Sequence, residues 1–145
     1  MSLRVGLVGY GLAGRTFHAP LFRGCGLELV AVLTTNPERV GYVQADFPDA
    51  IVVSDMPELL THNLDLVVIA SVNSVHVEQA IAALHAGVPT VVDKPMGRNL
   101  TETLEILKDM AEDNPLTDMG KMAKEFTKVS WVKMDGEADV CPMCK

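Results

Sequence analysis

The chain is short of positive charge: 12 Lys and Arg stand against 19 Asp and Glu, for a formal net charge of −7. A surface for nucleic acid or an anionic membrane needs a basic stripe, so neither partner is expected. Long apolar runs are missing too, and none reaches the ~18 residues that would cross a bilayer. Cysteine is scarce and odd in number, at three. With no basic n-region or cleavage site ahead of the first apolar run, that count argues against a disulfide framework and for a reducing compartment, the cytoplasm by default. Internal repeats and low-complexity runs are absent. What is present is 145 residues, 48% of them hydrophobic, one domain's worth of chain with enough apolar surface for a sizeable core.

The organising stretch is Leu3–Thr16, LRVGLVGYGLAGRT. An apolar run, Val5–Val8, leads into Gly9-Tyr10-Gly11-Leu12-Ala13-Gly14 and then into residues able to start a helix. A dinucleotide-binding site needs this strand, glycine turn and helix start. Gly9 permits the tight turn, Gly11 lacks the Cβ that would keep a pyrophosphate from the backbone, and Gly14 lets the helix sit close to the sheet. The helix start presents unpaired N–H groups, with Leu12 and Ala13 among the cradle residues, and the positive end of its dipole. An ordinary tight turn is the competing reading of any lone GxGxxG. Its place directly after a strand and before a helix favours the dinucleotide.

Strands and helices then alternate. Ala13–Arg23 reads as a helix that Pro20 must end or kink, and Gly24 and Gly26 close it. Leu27–Leu33 reads as a strand buried on both faces. Asn36-Pro37 opens a helix to about Asp46. Ile51–Val53 is a brief strand, Met56–His62 a short helix, and Leu64–Ala70 a fourth strand ending at Ser71-Val72-Asn73-Ser74. His76–Ala86 is a helix with Val77, Ala80, Ile81 and Leu84 on one face, stopped by Gly87. Pro89–Val92 is a fifth strand ending at Asp93-Lys94-Pro95, and Thr101–Met110 is a helix with Leu104 and Leu107 inward. This spacing predicts an α/β fold, a Rossmann-type doubly wound parallel sheet with its crevice at the carboxyl ends of the strands. The segments falling there are Gly9–Gly14, Thr34–Asn36, Ser71–Ser74 and Asp93–Pro95. A boundary is expected near Asn114. Residues 1–114 then form the dinucleotide-binding domain, and 115–145 an atypical tail with a helix, a short strand and a CxxC.

The end of the second strand bears on cofactor choice. An Asp or Glu there would bond the ribose 2′-OH of NAD, but this chain has Thr34-Thr35-Asn36, with Arg39, and Arg15 as a further candidate, as positive partners. A carboxylate repels a 2′-phosphate and these groups do not, so NADP is favoured over NAD. The same residues are also good helix caps. Lys94, directly after a strand and held by Pro95, could hydrogen-bond a substrate hydroxyl and favour alkoxide-like charge during hydride transfer. A solvated surface lysine is an equal reading. For His76 the plainer reading, a polar surface residue at a helix start, is preferred, and His18, His62 and His85 receive no role. Cys141 and Cys144 form one CxxC; a structural zinc site needs four ligands, so an exposed tail is preferred and no metal is expected within the chain.

Gly9–Gly14 followed by Phe17-His18-Ala19-Pro20, then Val68-Ile69-Ala70 with Asn73 and His76, then Val92-Asp93-Lys94-Pro95 resemble the N-terminal domain of the glucose–fructose oxidoreductase/inositol dehydrogenase (Gfo/Idh/MocA) family. The likeness covers about Leu3 to Leu107, with Asp93 where the family usually has Glu. The resemblance implies an NAD(P)-dependent dehydrogenase acting on a sugar, polyol or related hydroxyl compound as its small-molecule substrate. It implies that Lys94 is the catalytic lysine, that Gly9, Gly11 and Gly14 form the pyrophosphate loop, and that Asn73 and His76 match nucleotide-contacting positions. Ser71, Asp93 and Lys94 join the expected cofactor set from the crevice segments. Family members continue into a substrate domain with further catalytic residues, usually a histidine, and often pair through it. The last histidine here is His85. The expectation is therefore a truncated, fused or rearranged product with very poor turnover by itself, homo-oligomerisation being left open. A nucleotide-binding module without catalysis is the alternative.

Overall fold

The computed structural model describes residues 2–113. The expected tail, residues 115–145 with its helix, strand and CxxC, lies outside the described residues. Five parallel strands form one sheet: β1 (Arg4–Val8), β2 (Glu28–Leu33), β3 (Ile51–Val53), β4 (Leu66–Ile69) and β5 (Thr90–Val92), in the order β3-β2-β1-β4-β5. This is the doubly wound arrangement. The chain moves outward from β1 to β3 on one side, then returns to place β4 and β5 on the other, leaving a crevice where the winding reverses.

Helices cover both faces. They are α1 (Ala19–Gly24), α2 (Pro37–Asp46), α3 (Met56–Leu60), α4 (His76–His85) and α5 (Leu100–Asp113). Two core layers result. Val5, Leu7, Val32 and Val68 pack with Ala19, Phe22 and Val43 on one side; Val8, Ala31, Val67 and Ile69 pack with Leu59, Ala80, Ala83 and Ile106 on the other. Central strands covered on both sides must be apolar at nearly every position, which is why β1, β2 and β4 read as continuous runs rather than alternating ones.

Three local expectations are corrected. Pro20 does not end the first helix. A π-helical turn, Gly14–His18, runs directly into α1, which takes Pro20 in its first turn, and the Ala19 N–H reaches back to the Gly14 carbonyl. The wider turn absorbs a residue that an α-helical ladder would reject. In α5 the fully buried side chain is Ile106, while Leu104 and Leu107 are half-buried. In α4, Ala83 joins Ala80 and Leu84 in the core, and Ile81 is half-buried. Among the described residues no helix is long and apolar enough to cross a membrane.

Candidate functional site

The glycine turn is built as tightly as its spacing implies. Gly9 has φ +93°, a conformation that side-chain-bearing residues avoid, and a Cβ there would lie 2.8 Å from the Ala70 carbonyl oxygen. The Gly9 N–H donates to the Leu33 carbonyl (2.9 Å) and the Ala70 N–H donates to the Val8 carbonyl (2.8 Å), so the start of the turn is stitched to the ends of β2 and β4. A Cβ at Gly14 would collide with the Gly9 carbonyl oxygen. Gly11 differs. A Cβ there would meet no backbone, only the Arg39 guanidinium at 3.6 Å. The protein itself therefore does not demand glycine at residue 11, where a Cβ would make only ordinary contact with Arg39. The Arg15 N–H donates to the Gly11 carbonyl at 2.9 Å, so the amides of Leu12, Ala13 and Gly14 precede the helical ladder and are oriented for an anion.

A cavity of about 400 Å³ opens above this turn. Its walls are the ends of β1 (Val8, Gly9), β2 (Leu33 with Thr34, Thr35 and Asn36) and β4 (Ala70, Ser71, Val72), closed by Gly11, Leu12, Ala13, Arg39 and Gln79. Among the described residues, Arg39 is the one charged residue in that lining and no carboxylate is there. Its backbone is fixed by Asn36, whose Oδ1 accepts the N–H groups of Glu38 (3.0 Å) and Arg39 (3.2 Å). Asn36 thus caps α2 and lines the cavity together. Thr34 is buried and Thr35 exposed. Ser71 Oγ donates to Gln79 Oε1 at 2.6 Å.

Of the residues singled out in the sequence, Gly9, Gly11, Leu12, Ala13, Thr34, Thr35, Asn36, Arg39 and Ser71 meet in this cavity. Gly14 lies beneath it, buried against Gly9. Asn73 is exposed in a 3₁₀ turn (Asn73–Val75), outside the lining. Lys94 is exposed, also outside it, with its N–H donating to Asp93 Oδ1 (2.8 Å). Asp93 Oδ2 faces His18 Nε2 at 3.6 Å, a contact that only the fold brings about. The Lys94–Pro95 peptide bond is cis.

His76 is not a surface residue. It is 2% exposed, with Nδ1 2.9 Å from the Pro95 carbonyl oxygen and Nε2 3.1 Å from that of Ser71. A polar ring at a helix start reads as solvated in sequence; only the folding of the Asp93–Pro95 loop over it makes it interior. Arg15 is likewise corrected as a candidate for the cofactor phosphate. Its Nε donates to Asp46 Oδ2 (2.8 Å) and its guanidinium stacks on Tyr42 (3.8 Å), away from the cavity. That bond is the leading cause holding the Asp46 carboxyl below its ordinary range. Tyr10, whose hydroxyl donates to the same oxygen (3.2 Å), is pushed up to about 12, first by burial and then by the Asp46 charge. Val72, within the Ser71–Ser74 segment expected at the crevice, lines the cavity, while sequence reading missed Gln79. No signal singled it out, because Gln79 sits beside Glu78 in a helix read for its apolar face.

A Cβ-free cradle at Gly11, oriented amides and a carboxylate-free wall fit a dinucleotide's phosphates and ribose. Fold and cavity together define a Rossmann-type nucleotide-binding domain. The family described as "Oxidoreductase family, NAD-binding Rossmann fold" (GFO_IDH_MocA) matches residues 3–120, and the chain belongs to it. It is 38% identical over 131 residues to the uncharacterized oxidoreductase YdgJ of Escherichia coli strain K12, across 90% of this chain and 36% of that protein. It is 34% identical over 113 residues to scyllo-inositol 2-dehydrogenase (NADP(+)) IolW of Bacillus subtilis strain 168, across 77% of this chain and 31% of that one. Among solved structures, the WlbA dehydrogenase from Bordetella pertussis in complex with NADH and UDP-GlcNAcA aligns with a TM-score of 0.63 and 29% identity, covering 86% of this chain and 35% of that chain. The chain spans about a third of the length of these relatives.

Proposed function

We propose that this chain supplies the nucleotide-binding part of an NAD(P)-dependent oxidoreductase, binds NADP(H) ahead of NAD(H), and serves hydride transfer to or from a sugar, polyol or related hydroxyl compound. The observation that carries the reading is the cavity wall at the end of β2. Thr34, Thr35, Asn36 and Arg39 offer neutral donors and one cation where an NAD-preferring site would hold a carboxylate. The NADP(+) in the name of the IolW relative agrees with this preference, while the WlbA complex contains NADH. When bound, the nicotinamide supplies or accepts the hydride. The chain's own residues do the rest. Gly9, Gly11, Leu12, Ala13 and Gly14 seat the pyrophosphate, Arg39 faces the 2′-phosphate, and Ser71 with Gln79 shapes the far wall. Lys94 orients the reacting hydroxyl and stabilises developing negative charge on its oxygen.

Titration of the full chain with NADPH and NADH, followed by nicotinamide fluorescence, tests the preference; tighter binding of NADH refutes it. Incubation with NADP and a panel of inositols and sugars, followed by nicotinamide absorbance, tests transfer. A second reading, nucleotide binding without turnover, is favoured by the exposed position of Lys94 outside the cavity lining. Tight binding with no transfer on any polyol, unchanged in Lys94→Ala, would establish it.

A further inference from the structure

His76 is the only histidine buried among the described residues, and its ring joins two parts of the chain that differ in role. One nitrogen contacts the carbonyl of Ser71, in the cavity wall; the other contacts the carbonyl of Pro95, one residue past Lys94. Both partners are carbonyl oxygens, which only accept hydrogen bonds. Burying such a ring beside the apolar layer of Ile69, Ala80 and Ala83 costs desolvation that an aliphatic side chain would avoid. What the imidazole provides is direction, because it spans wall and loop and fixes their separation. The loop is also held from its other side, where Asp93 accepts the Lys94 N–H and faces His18 on the π-helical turn that begins at the glycine cradle.

We propose that His76 is a positioning residue for Lys94: through Ser71 and Pro95 it transmits occupancy of the nucleotide cavity to the lysine loop. The proposal rests on the reading of Lys94 given above. Because His76 does not line the cavity, its loss leaves NADPH affinity close to that of the unchanged chain and uncouples the lysine from the cofactor.

Acetylation of Lys94 in the full chain by limiting acetic anhydride, read by peptide mass spectrometry with and without saturating NADPH, measures this coupling. In the unchanged chain NADPH slows the reaction by about tenfold; in His76→Phe the ratio falls below about twofold. It falls as far in His76→Asn, whose amide takes the Nδ1 position and holds Pro95 but releases Ser71, so that protection retained in His76→Asn overturns the proposal. Thermal unfolding and NADPH titration show that each variant is folded and binds. Undiminished protection in a folded His76→Phe overturns the proposal and leaves the Lys94 reading standing. No protection in the unchanged chain overturns both. Should His76→Phe not fold, His76→Gln, which keeps the Ser71 end and releases Pro95, decides instead: lost protection supports the proposal and retained protection overturns it.

Discussion

Replacing Arg39 by alanine removes the one charge that the described residues place in the cavity lining while leaving the cap on α2 intact, since Asn36 bonds the backbone N–H of residue 39 and not its side chain. The effect on binding follows from simple electrostatics. A guanidinium and a phosphate carrying about −2, roughly 4 Å apart in a water-like dielectric, attract by about 2 kcal/mol. A charge-assisted hydrogen bond falls in the same range, about 1.5–3 kcal/mol. Arg39 is exposed, so the lower part of that range applies, and about 2 kcal/mol is about thirtyfold in Kd. NADH lacks the 2′-phosphate, and its affinity should move by less than about threefold.

The assay is paired fluorescence titration of unchanged chain and Arg39→Ala with NADPH and NADH, at two ionic strengths. Added salt should weaken NADPH binding to the unchanged chain and have much less effect on the variant, because the interaction screened is the one deleted. Arg39→Lys keeps the charge but not the planar fork, and falls between the two. An equal loss for both nucleotides would refute the reasoning, assigning Arg39 a general role at the cavity mouth.

Three further outcomes are expected. Gly11→Ala adds a Cβ whose nearest neighbour is Arg39 at 3.6 Å, so thermal stability should change by no more than about 0.5 kcal/mol, while NADPH affinity falls at least about tenfold; unchanged affinity would show that no pyrophosphate lies over residue 11. Gly9→Ala is the converse, with φ +93° and backbone 2.8 Å from the new Cβ, and denaturant unfolding should register a loss of about 2–5 kcal/mol from strain and overpacking. Asp46 is held below its ordinary 3.8, chiefly by Arg15; its contribution is full above that value and lost as pH falls through the lower folded one. Asp46→Asn should therefore be less stable at neutral pH, yet lose less on acidification below 3.8 than the unchanged chain, and parallel acid-unfolding curves would contradict this.

Strand positions were legible because a sheet covered on both faces forces continuous apolar runs, and LVVI or ELVAVL leave little choice of partner. The cradle was legible for a related reason. Gly14 is fixed by the Gly9 carbonyl five residues before it and Gly9 by its own positive φ, so their roles survive without knowledge of the rest of the fold. The Ala70 backbone that also crowds Gly9 is brought there only by the sheet. Asn36 capping α2 is equally local. By contrast, Pro20 could be judged only against an α-helical ladder, and the π-helical turn that admits it was invisible in composition.

The sequence by itself determined the doubly wound sheet and the glycine turn, since both arise from local sterics and hydrophobic periodicity. Tertiary structure alone decided which polar side chains serve the cavity. Arg39 and, behind it, Arg15 both stand as candidate cations in the sequence, yet Asp46 takes Arg15 and the cavity keeps Arg39. His76 reads as solvated until the Pro95 carbonyl folds over its ring. Such assignments depend on neighbours tens of residues apart, and a polar group's role is set by the partner that reaches it in the fold, not by its place along the chain.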